Sequence, residues 1–257
     1  MSNNDWLKKV ENFYDSRMEK TDDAVFAAGQ WEIPELVPQI CDEICRKTKI
    51  TKNHFVLELG CGSGVLGNWI SKNSANYVGI DISSNMLNSF NNSSGENSVE
   101  LLQGITDKIP FNDNIFDVIV MNSVTMYIHD NEILLNTFKE MQRVAKNNGI
   151  LFIGDNITPS NSLWELVWYR NLSDSKKSLL LPYIKFRKWL ANKNKKFAGK
   201  WKVIHKEISP KLISNFFNNT GIVSESMAAT YTIKKSKAGT NYKGSKRVDF
   251  VIQLNKE

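Results

Sequence analysis

The residues best suited to chemistry lie in a glycine-rich segment at the end of a short apolar run. The segment reads Glu58-Leu-Gly60-Cys61-Gly62-Ser-Gly64. Glycine tolerates positive φ and lets the backbone approach a ligand without interference from a Cβ atom. A second apolar run ends at Asp81, where a carboxylate can accept hydrogen bonds from both hydroxyls of an adenosine ribose. The loop and the acid together predict a site for a cofactor that contains adenosine.

Two cofactor chemistries fit this pattern. Gly62, Gly64 and Gly67 satisfy the GxGxxG pattern of dinucleotide sites, so a nicotinamide-dependent oxidoreductase is one alternative. Glu58 favours the other. A carboxylate at the strand end repels a pyrophosphate, which binds bare amides at a helix N-terminus, and suits a ligand with cationic groups.

The elements that position these residues follow from the alternation of short apolar runs with helical patterns, which is typical of a parallel α/β sheet. The predicted strands are Phe55 to Leu59, Tyr77 to Asp81, Val99 to Gln103, Phe116 to Met121 and Ile150 to Gly154. Two later runs, Ser224 to Ile233 and Val248 to Leu254, predict an antiparallel pair that closes the sheet.

Two helices have clear end signals. One is predicted from Asn131 to Ala145, with Asp130 as its cap and Gly149 just beyond its end. The other begins at Ser209-Pro210, a cap followed by a first-turn proline, and stops at Gly221.

Composition excludes several classes of protein. The chain has 257 residues, of which 41% are hydrophobic and 23% charged, so it is neither disordered nor fibrous. It lacks both an apolar run of about 18 residues and a signal peptide at its start. Its three cysteines form no CxxC pair, which argues against a disulfide framework or a zinc site. We therefore expect a soluble, cytoplasmic protein without a metal or a membrane partner.

The charge is unevenly distributed. Residues 1–155 hold 13 basic and 21 acidic residues, net −8, whereas residues 156–257 hold 20 and 6, net +14. A basic half suggests an anionic partner, which could be a nucleic acid, a membrane surface or a phosphorylated small molecule. Only 6 of the 33 basic residues are arginine, the better reader of phosphates and bases. We therefore expect the partner to be a small molecule and not a nucleic acid.

The motifs resemble those of the class I S-adenosylmethionine-dependent methyltransferases, over roughly residues 50–155. The resemblance rests on the Glu58 to Gly64 segment, Gly79-Ile-Asp81-Ile-Ser, Ile109-Pro110-Phe111 and Phe116-Asp117-Val-Ile-Val. It implies a Rossmann-like, doubly wound, mostly parallel sheet of seven strands with an antiparallel closing strand.

The resemblance also implies residue roles. Glu58, Gly60, Cys61, Gly62 and Gly64 would hold the methionine end of S-adenosylmethionine, and Asp81 would bind its ribose. Residues near the adenine would be Ile82, Met86, Ile105 and Thr106, and Asn122 with Ser123 would line the sulfonium side. Where the family commonly shows Gly-Asp-Ala, this chain has Gly104-Ile105-Thr106, so Thr106, Asp107 or a backbone carbonyl is the candidate substitute for the missing acid.

Catalytic candidates are few. Methyl transfer from a sulfonium is an in-line displacement, and a base is needed only if the acceptor arrives protonated. His129 and Tyr127 follow the fourth strand and are the candidate catalytic residues, with His205 and Asp155 as alternatives. An RNA methyltransferase and a non-catalytic adenosine-binding regulator remain open as alternative functions.

The pattern divides the chain into four parts. Residues 1–50 are predicted to form an N-terminal helical lid, in which Tyr14 and Trp31 could fold over the cofactor. Residues 51–155 are the cofactor-binding core, and residues 156–206 are an aromatic, basic helical cap insert over the carboxyl edge of the sheet. Residues 207–257 complete the core with the closing strands.

Overall fold

The computed structural model describes residues 3–19, 21, 34–74, 76–95, 99–158, 206–228 and 247–256. Within these residues the helices of at least five residues are α1 (Asn3–Met18), α2 (Val37–Thr48), α3 (Gly67–Ser71), α4 (Ser84–Ser93), α5 (Asn131–Val144) and α6 (Pro210–Phe217). The strands are β1 (Phe55–Leu59), β2 (Asn76–Asp81), β3 (Val99–Gln103), β4 (Phe116–Asn122), β5 (Ala145–Ile157), β6 (Gly221–Met227) and β7 (Arg247–Leu254).

The seven strands form one sheet in the order β3-β2-β1-β4-β5-β7-β6. Strands β1 to β5 pair in parallel, β7 pairs antiparallel with β5, and β6 pairs antiparallel with β7. The predicted fold is therefore confirmed, including the antiparallel closing strands. Because the order reverses between β1 and β4, their carboxyl ends diverge into the crevice where open α/β sheets bind ligands.

Alternate residues of the strands face opposite sides of the sheet, and each side is covered by helices. On one side Leu57 and Ile119 share a core with Phe138 of α5 and Phe217 of α6. On the other side the core is formed by the remaining strand positions together with α2, α3 and α4, including Val56, Val118, Ile44, Ile70 and Phe90. This arrangement makes the sheet doubly wound. The four-part domain division stays a prediction.

Local signals account for most helix ends. The Asp130 side chain accepts a hydrogen bond from the Glu132 amide, 2.7 Å away, and caps α5 as predicted. Ser83 caps α4 in the same way through the Met86 amide. Ser209 occupies the capping position of α6, where Pro210 follows it, but its side chain makes no capping hydrogen bond.

Several boundaries differ from the expectation, including both ends of β5, which runs from Ala145 to Ile157 where Ile150 to Gly154 was predicted. Gly149 does not end α5, because β5 begins directly after the helix at Ala145, which pairs with Phe116 before the register shifts. Helix α6 ends at Phe217 and so stops short of Gly221. Strand β6 begins at Gly221, three residues early, because pairing with Leu254 extends it.

None of the helices in the described part of the chain is long and apolar enough to cross a membrane.

Candidate active site

A cavity opens at the carboxyl edge of the sheet, between the ends of β1, β2 and β4 and beneath α1. Most of the predicted cofactor residues line it: Glu58, Gly60, Cys61, Gly62, Asp81, Ile82, Met86, Ile105, Thr106 and Asn122. Tyr127, one of the two catalytic candidates, lines it as well. The structure thus brings together groups that are separated by up to about 70 residues in the sequence.

The glycine loop after β1 has three positive φ angles, 72° at Gly60, 54° at Gly62 and 83° at Gly64. A Cβ atom on Gly60 would lie 2.3 Å from Val124 Cγ2, so the bare backbone lets the turn after β4 approach. A Cβ atom on Gly62 would meet nothing within 4 Å and would point into space beside the cavity. Gly62 therefore offers an unobstructed backbone to a ligand.

Gly64 has a different position from the one expected. A Cβ atom on it would lie 2.2 Å from Phe90 Cδ2, and the residue does not line the cavity. Its close contact with the Phe90 ring packs the loop against α4. Gly64 therefore contributes to packing behind the loop and does not contact the cavity.

Glu58 lies at the base of the cavity with 3% of its surface exposed. The Tyr77 hydroxyl donates a hydrogen bond to its Oε2 atom at 2.6 Å. Burial raises the pKa of Glu58 to about 8, although the hydrogen bond from Tyr77 opposes this shift. A buried carboxyl with a raised pKa is a suitable partner for a ligand ammonium group, which would favour its charged form. The sequence pattern did not reveal Tyr77 as its partner.

Asp81 stands at the end of β2 and connects that strand to the glycine loop. Its Oδ2 atom accepts a hydrogen bond from the Gly62 amide at 2.8 Å, and its Oδ1 atom accepts one from the Ser83 amide at 2.9 Å. Burial raises the pKa of Asp81, and the backbone amides oppose this shift. The carboxylate borders the cavity while it fixes the conformation of the loop.

A third acidic group lies beyond β3. Asp107 borders the cavity, and its buried Oδ1 atom has no hydrogen-bond partner within the described residues. Buried polar atoms in proteins are nearly always paired, so an orphan at a cavity wall indicates a ligand donor. Thr106, another candidate substitute for the missing acid, is engaged with Thr137 Oγ1 at 2.9 Å.

Helix α1 forms the roof of the cavity through Leu7, Val10 and Tyr14. Two contacts fasten it at its two ends. Trp6 Nε1 donates to the Tyr127 carbonyl oxygen at 2.8 Å, and Ser83 Oγ donates to Asp15 Oδ1 at 2.5 Å. Tyr14 lines the cavity, and its role in a lid over the cofactor stays a prediction, whereas Trp31 lies outside the described residues. The role of Trp6 was not apparent from the sequence.

A pair of tyrosines occupies the side of the cavity below α1. The rings of Tyr14 and Tyr127 meet edge to face, with centroids 5.5 Å apart, and a side-chain hydrogen bond joins them. Burial raises the pKa of both phenols; the shared bond raises the pKa of Tyr14 further and lowers that of Tyr127. Both phenols are neutral near pH 7.

His129, the other catalytic candidate, does not reach the cavity. Its exposed ring lies against Trp6, with ring centroids 3.8 Å apart. His205 and the tryptophans of the predicted cap (Trp164, Trp168, Trp189 and Trp201) lie outside the described residues. Within the described part of the chain, no group of His, Cys, Asp and Glu side chains could hold a metal ion.

Comparisons with known proteins relate the segment that contains most of the cavity residues to methyltransferases. A family model described as a methyltransferase domain matches residues 57–153. YcgJ of Bacillus subtilis, an uncharacterised methyltransferase, is 27% identical over 143 residues, which cover 54% of this chain and 52% of YcgJ. An uncharacterised protein of Methanocaldococcus jannaschii is 28% identical over 148 residues, which cover 57% of this chain and 60% of that protein. The chain thus spans less than two thirds of the length of either curated relative.

Among solved structures, phosphoethanolamine N-methyltransferase 1 of Haemonchus contortus, in complex with phosphoethanolamine and S-adenosylhomocysteine, superposes with a TM-score of 0.70. The superposition covers 100% of this chain and 50% of that chain, at 10% sequence identity. At this identity the likeness shows a shared fold.

Proposed function

Because the chain belongs to the class I S-adenosylmethionine-dependent methyltransferases, we propose that it transfers a methyl group from S-adenosylmethionine to a small anionic molecule. The observation that carries the proposal is the series of acidic groups along one cavity. Glu58 lies in β1, Asp81 at the end of β2 and Asp107 just after β3, in the order in which those strands lie side by side.

The residues present fit this cofactor. Glu58 would hold the ammonium group of the methionine end, Asp81 the ribose hydroxyls and the orphaned Asp107 Oδ1 the adenine amino group. Gly62 would let the ligand lie against the backbone. Ile82, Met86 and Ile105 supply an apolar surface for the base. When bound, S-adenosylmethionine supplies a methyl group that its sulfonium has already activated.

The chain then has to exclude water and align the acceptor, and alignment alone can contribute several powers of ten in rate. Helix α1 covers the cavity and would exclude water. Tyr127 borders the cavity, and its neutral hydroxyl would donate a hydrogen bond to an acceptor. We therefore assign Tyr127 a role in orienting the acceptor, without a requirement for a charged base.

An anionic acceptor is supported by the surroundings of the tyrosine pair. Arg17 and Arg247 both lie close enough to Tyr127 for their charges to lower its pKa, although Asp155, the ion-pair partner of Arg247, opposes this shift. The Haemonchus protein binds phosphoethanolamine, which makes that compound a first acceptor to test. Release of S-adenosylhomocysteine with phosphoethanolamine or another small phosphate would support the proposal. Steeply salt-dependent turnover on RNA would replace it with RNA methylation.

The cofactor is tested by calorimetric titration with S-adenosylhomocysteine and, separately, with NADH. We expect binding of the first compound only. Asp81→Asn should weaken it about tenfold to a hundredfold, because charge-assisted hydrogen bonds to the ribose are lost. Asp113→Asn is the matched control, since Asp113 is an exposed carboxylate paired with Arg143. Binding of NADH alone would contradict the proposal and favour the oxidoreductase.

A further inference from the structure

We infer that Asp155 and Arg247 are positioning residues for methyl transfer, which hold Ser123 and the turn after β4 against the methyl-bearing side of the cavity. The inference rests on the proposed function. It concerns a charged network behind the cavity wall that the cofactor contacts do not involve.

The network joins two unusual backbone positions at the ends of neighbouring strands. Ser123 after β4 has a φ of 62° and Asp155 near the end of β5 has a φ of 58°. Residues other than glycine adopt this left-handed region rarely, and it persists where surrounding contacts determine it. Here the two residues determine each other, because Ser123 Oγ donates to Asp155 Oδ2 at 2.5 Å. The Ser123 amide also donates to the Gly154 carbonyl oxygen at 2.9 Å.

Two residues of β7, Asp249 and Arg247, hold Asp155 in position. Between Ile153 and Asn156 the register of β5 with β7 shifts, and the Asp155 amide donates to Asp249 Oδ1 at 2.8 Å in place of a regular strand contact. The other oxygen of Asp249 forms an ion pair with Lys47 Nζ at 2.6 Å. Arg247, the first residue of β7, then donates to Asp155 Oδ2 at 2.6 Å. Asp155 is 1% exposed, so these partners take the place of water around its carboxylate.

The turn that this network holds forms the cavity wall on one side. Asn122, Ser123 and Val124 all line the cavity, and Val124 packs against the bare backbone of Gly60. Under the proposed function the adenine, ribose and amino-acid contacts lie on β3, β2 and β1, and the next strand in the sheet is β4. The turn after β4 therefore borders the methionine end of the ligand, whose sulfur carries the methyl group.

Such a wall should distinguish S-adenosylmethionine from S-adenosylhomocysteine, which differ only in the methyl group and the positive charge. The ratio of their two dissociation constants is therefore the readout, and it needs no acceptor. A general loss of stability changes both constants together and leaves the ratio unchanged.

The variants are Arg247→Met and Asp155→Asn, measured by calorimetry alongside thermal unfolding. We expect each to change the ratio about threefold or more, the size typical of side chains coupled in one network. Arg247→Lys keeps the charge and should restore most of the ratio. Since Asp155→Asn could prevent folding, Ser123→Ala is the milder variant, because it removes the same hydrogen bond without removing a charge.

Lys146→Met is the matched control. Lys146 of β5 forms an ion pair with Asp117 of β4 at 2.7 Å, so it bridges the same two strands near their opposite ends. It should lower the melting temperature and leave the ratio unchanged.

An unchanged ratio in Arg247→Met and Ser123→Ala would overturn the inference and leave the network a structural one. Wild-type protein that binds neither compound would instead contradict the proposed function, and the inference with it.

Discussion

Glu58 and Tyr77 form a buried hydrogen-bonded pair at the base of the cavity, with 2.6 Å between the Tyr77 hydroxyl and Glu58 Oε2. Both side chains are at most 3% exposed. Burial raises the pKa of Glu58 to about 8, so most of its carboxyl groups carry a proton at pH 7. A cationic ligand group would favour the carboxylate, and its binding would therefore release that proton.

We predict that the affinity for S-adenosylhomocysteine rises with pH until Glu58 is ionised. The fraction of carboxylate grows up to about tenfold per pH unit below the pKa and is complete above it. The dissociation constant should therefore fall between pH 6 and 8 and level off above pH 8. Calorimetry at each pH, in buffers of different ionisation enthalpy, measures both the constant and the released proton. A constant that is flat from pH 6 to 8, with no proton release, would contradict this role of Glu58.

The same shift predicts an effect on stability. Glu58 is protonated up to about pH 8 in the folded state but ionises near pH 4.5 in the unfolded state. The folded protein therefore binds more protons in this window, and the free energy of unfolding falls as pH rises through it. Glu58→Gln removes this contribution, so it should gain on the order of 2–4 kcal/mol relative to wild type between pH 5 and pH 9. Urea unfolding at both pH values checks the difference. A gain of similar size at both pH values would show that ionisation is not its cause.

Gly62→Ala should abolish tight cofactor binding with a modest loss of stability. Its φ of 54° makes alanine strained, at a cost of about 1 kcal/mol, and the added methyl group would stand where the ligand lies. Gly95→Ala is the control, because Gly95 also has a positive φ, 61°, and open space around its Cβ position but does not line the cavity. The two variants should melt at similar temperatures and differ in calorimetric affinity. Equal affinities would show that the Gly62 backbone does not contact the ligand.

Asp107 should recognise the amino group of adenine. Asp107→Asn should weaken S-adenosylhomocysteine binding about tenfold, because a charge-assisted hydrogen bond is replaced by a neutral one. Binding of S-inosylhomocysteine, which lacks that amino group, should not weaken in the variant. Equal losses for the two ligands would remove Asp107 from the adenine contact.

Trp6 should slow the release of the cofactor. Trp6→Phe removes the indole donor to the Tyr127 carbonyl and should raise the dissociation rate of S-adenosylhomocysteine about threefold to tenfold, as expected for one hydrogen bond. Trp69→Phe is the control, since Trp69 Nε1 donates to Asp42 Oδ1 on the exposed surface. Stopped-flow displacement measures both rates. An unchanged rate in Trp6→Phe would mean that α1 does not limit release.

The sequence predicts most of the residues that line the cavity around β1 and β2, because its signals there are local. The glycine loop, Asp81 and the strand ends around them lie within single strand-turn-helix units, where residue type and spacing determine position. The helix cap at Asp130 is predictable for the same reason.

Contacts between distant elements could not be predicted. Trp6 and Tyr127 are 121 residues apart, and Asp155 and Arg247 are 92 apart, so each contact depends on how helices and strands assemble. The position of Gly149 in β5 likewise depends on the pairing of Ala145 with Phe116. The position of His129 just after the fourth strand predicts a site residue. The His129 ring instead packs on Trp6, because α1 crosses the sheet edge there.

The closing strands also affect how this protein could diversify. Residues 158 and 206 flank one long segment of the chain, and residues 228 and 247 flank another. Strands β5 and β6 end, and β7 begins, at the cavity edge of the sheet. Both segments therefore connect to the half of the sheet that does not contain β1, β2 and β3. Under the proposed function, new acceptor preferences could therefore evolve, or be grafted, by exchange of these segments while the residues proposed to hold the methyl donor are inherited unchanged.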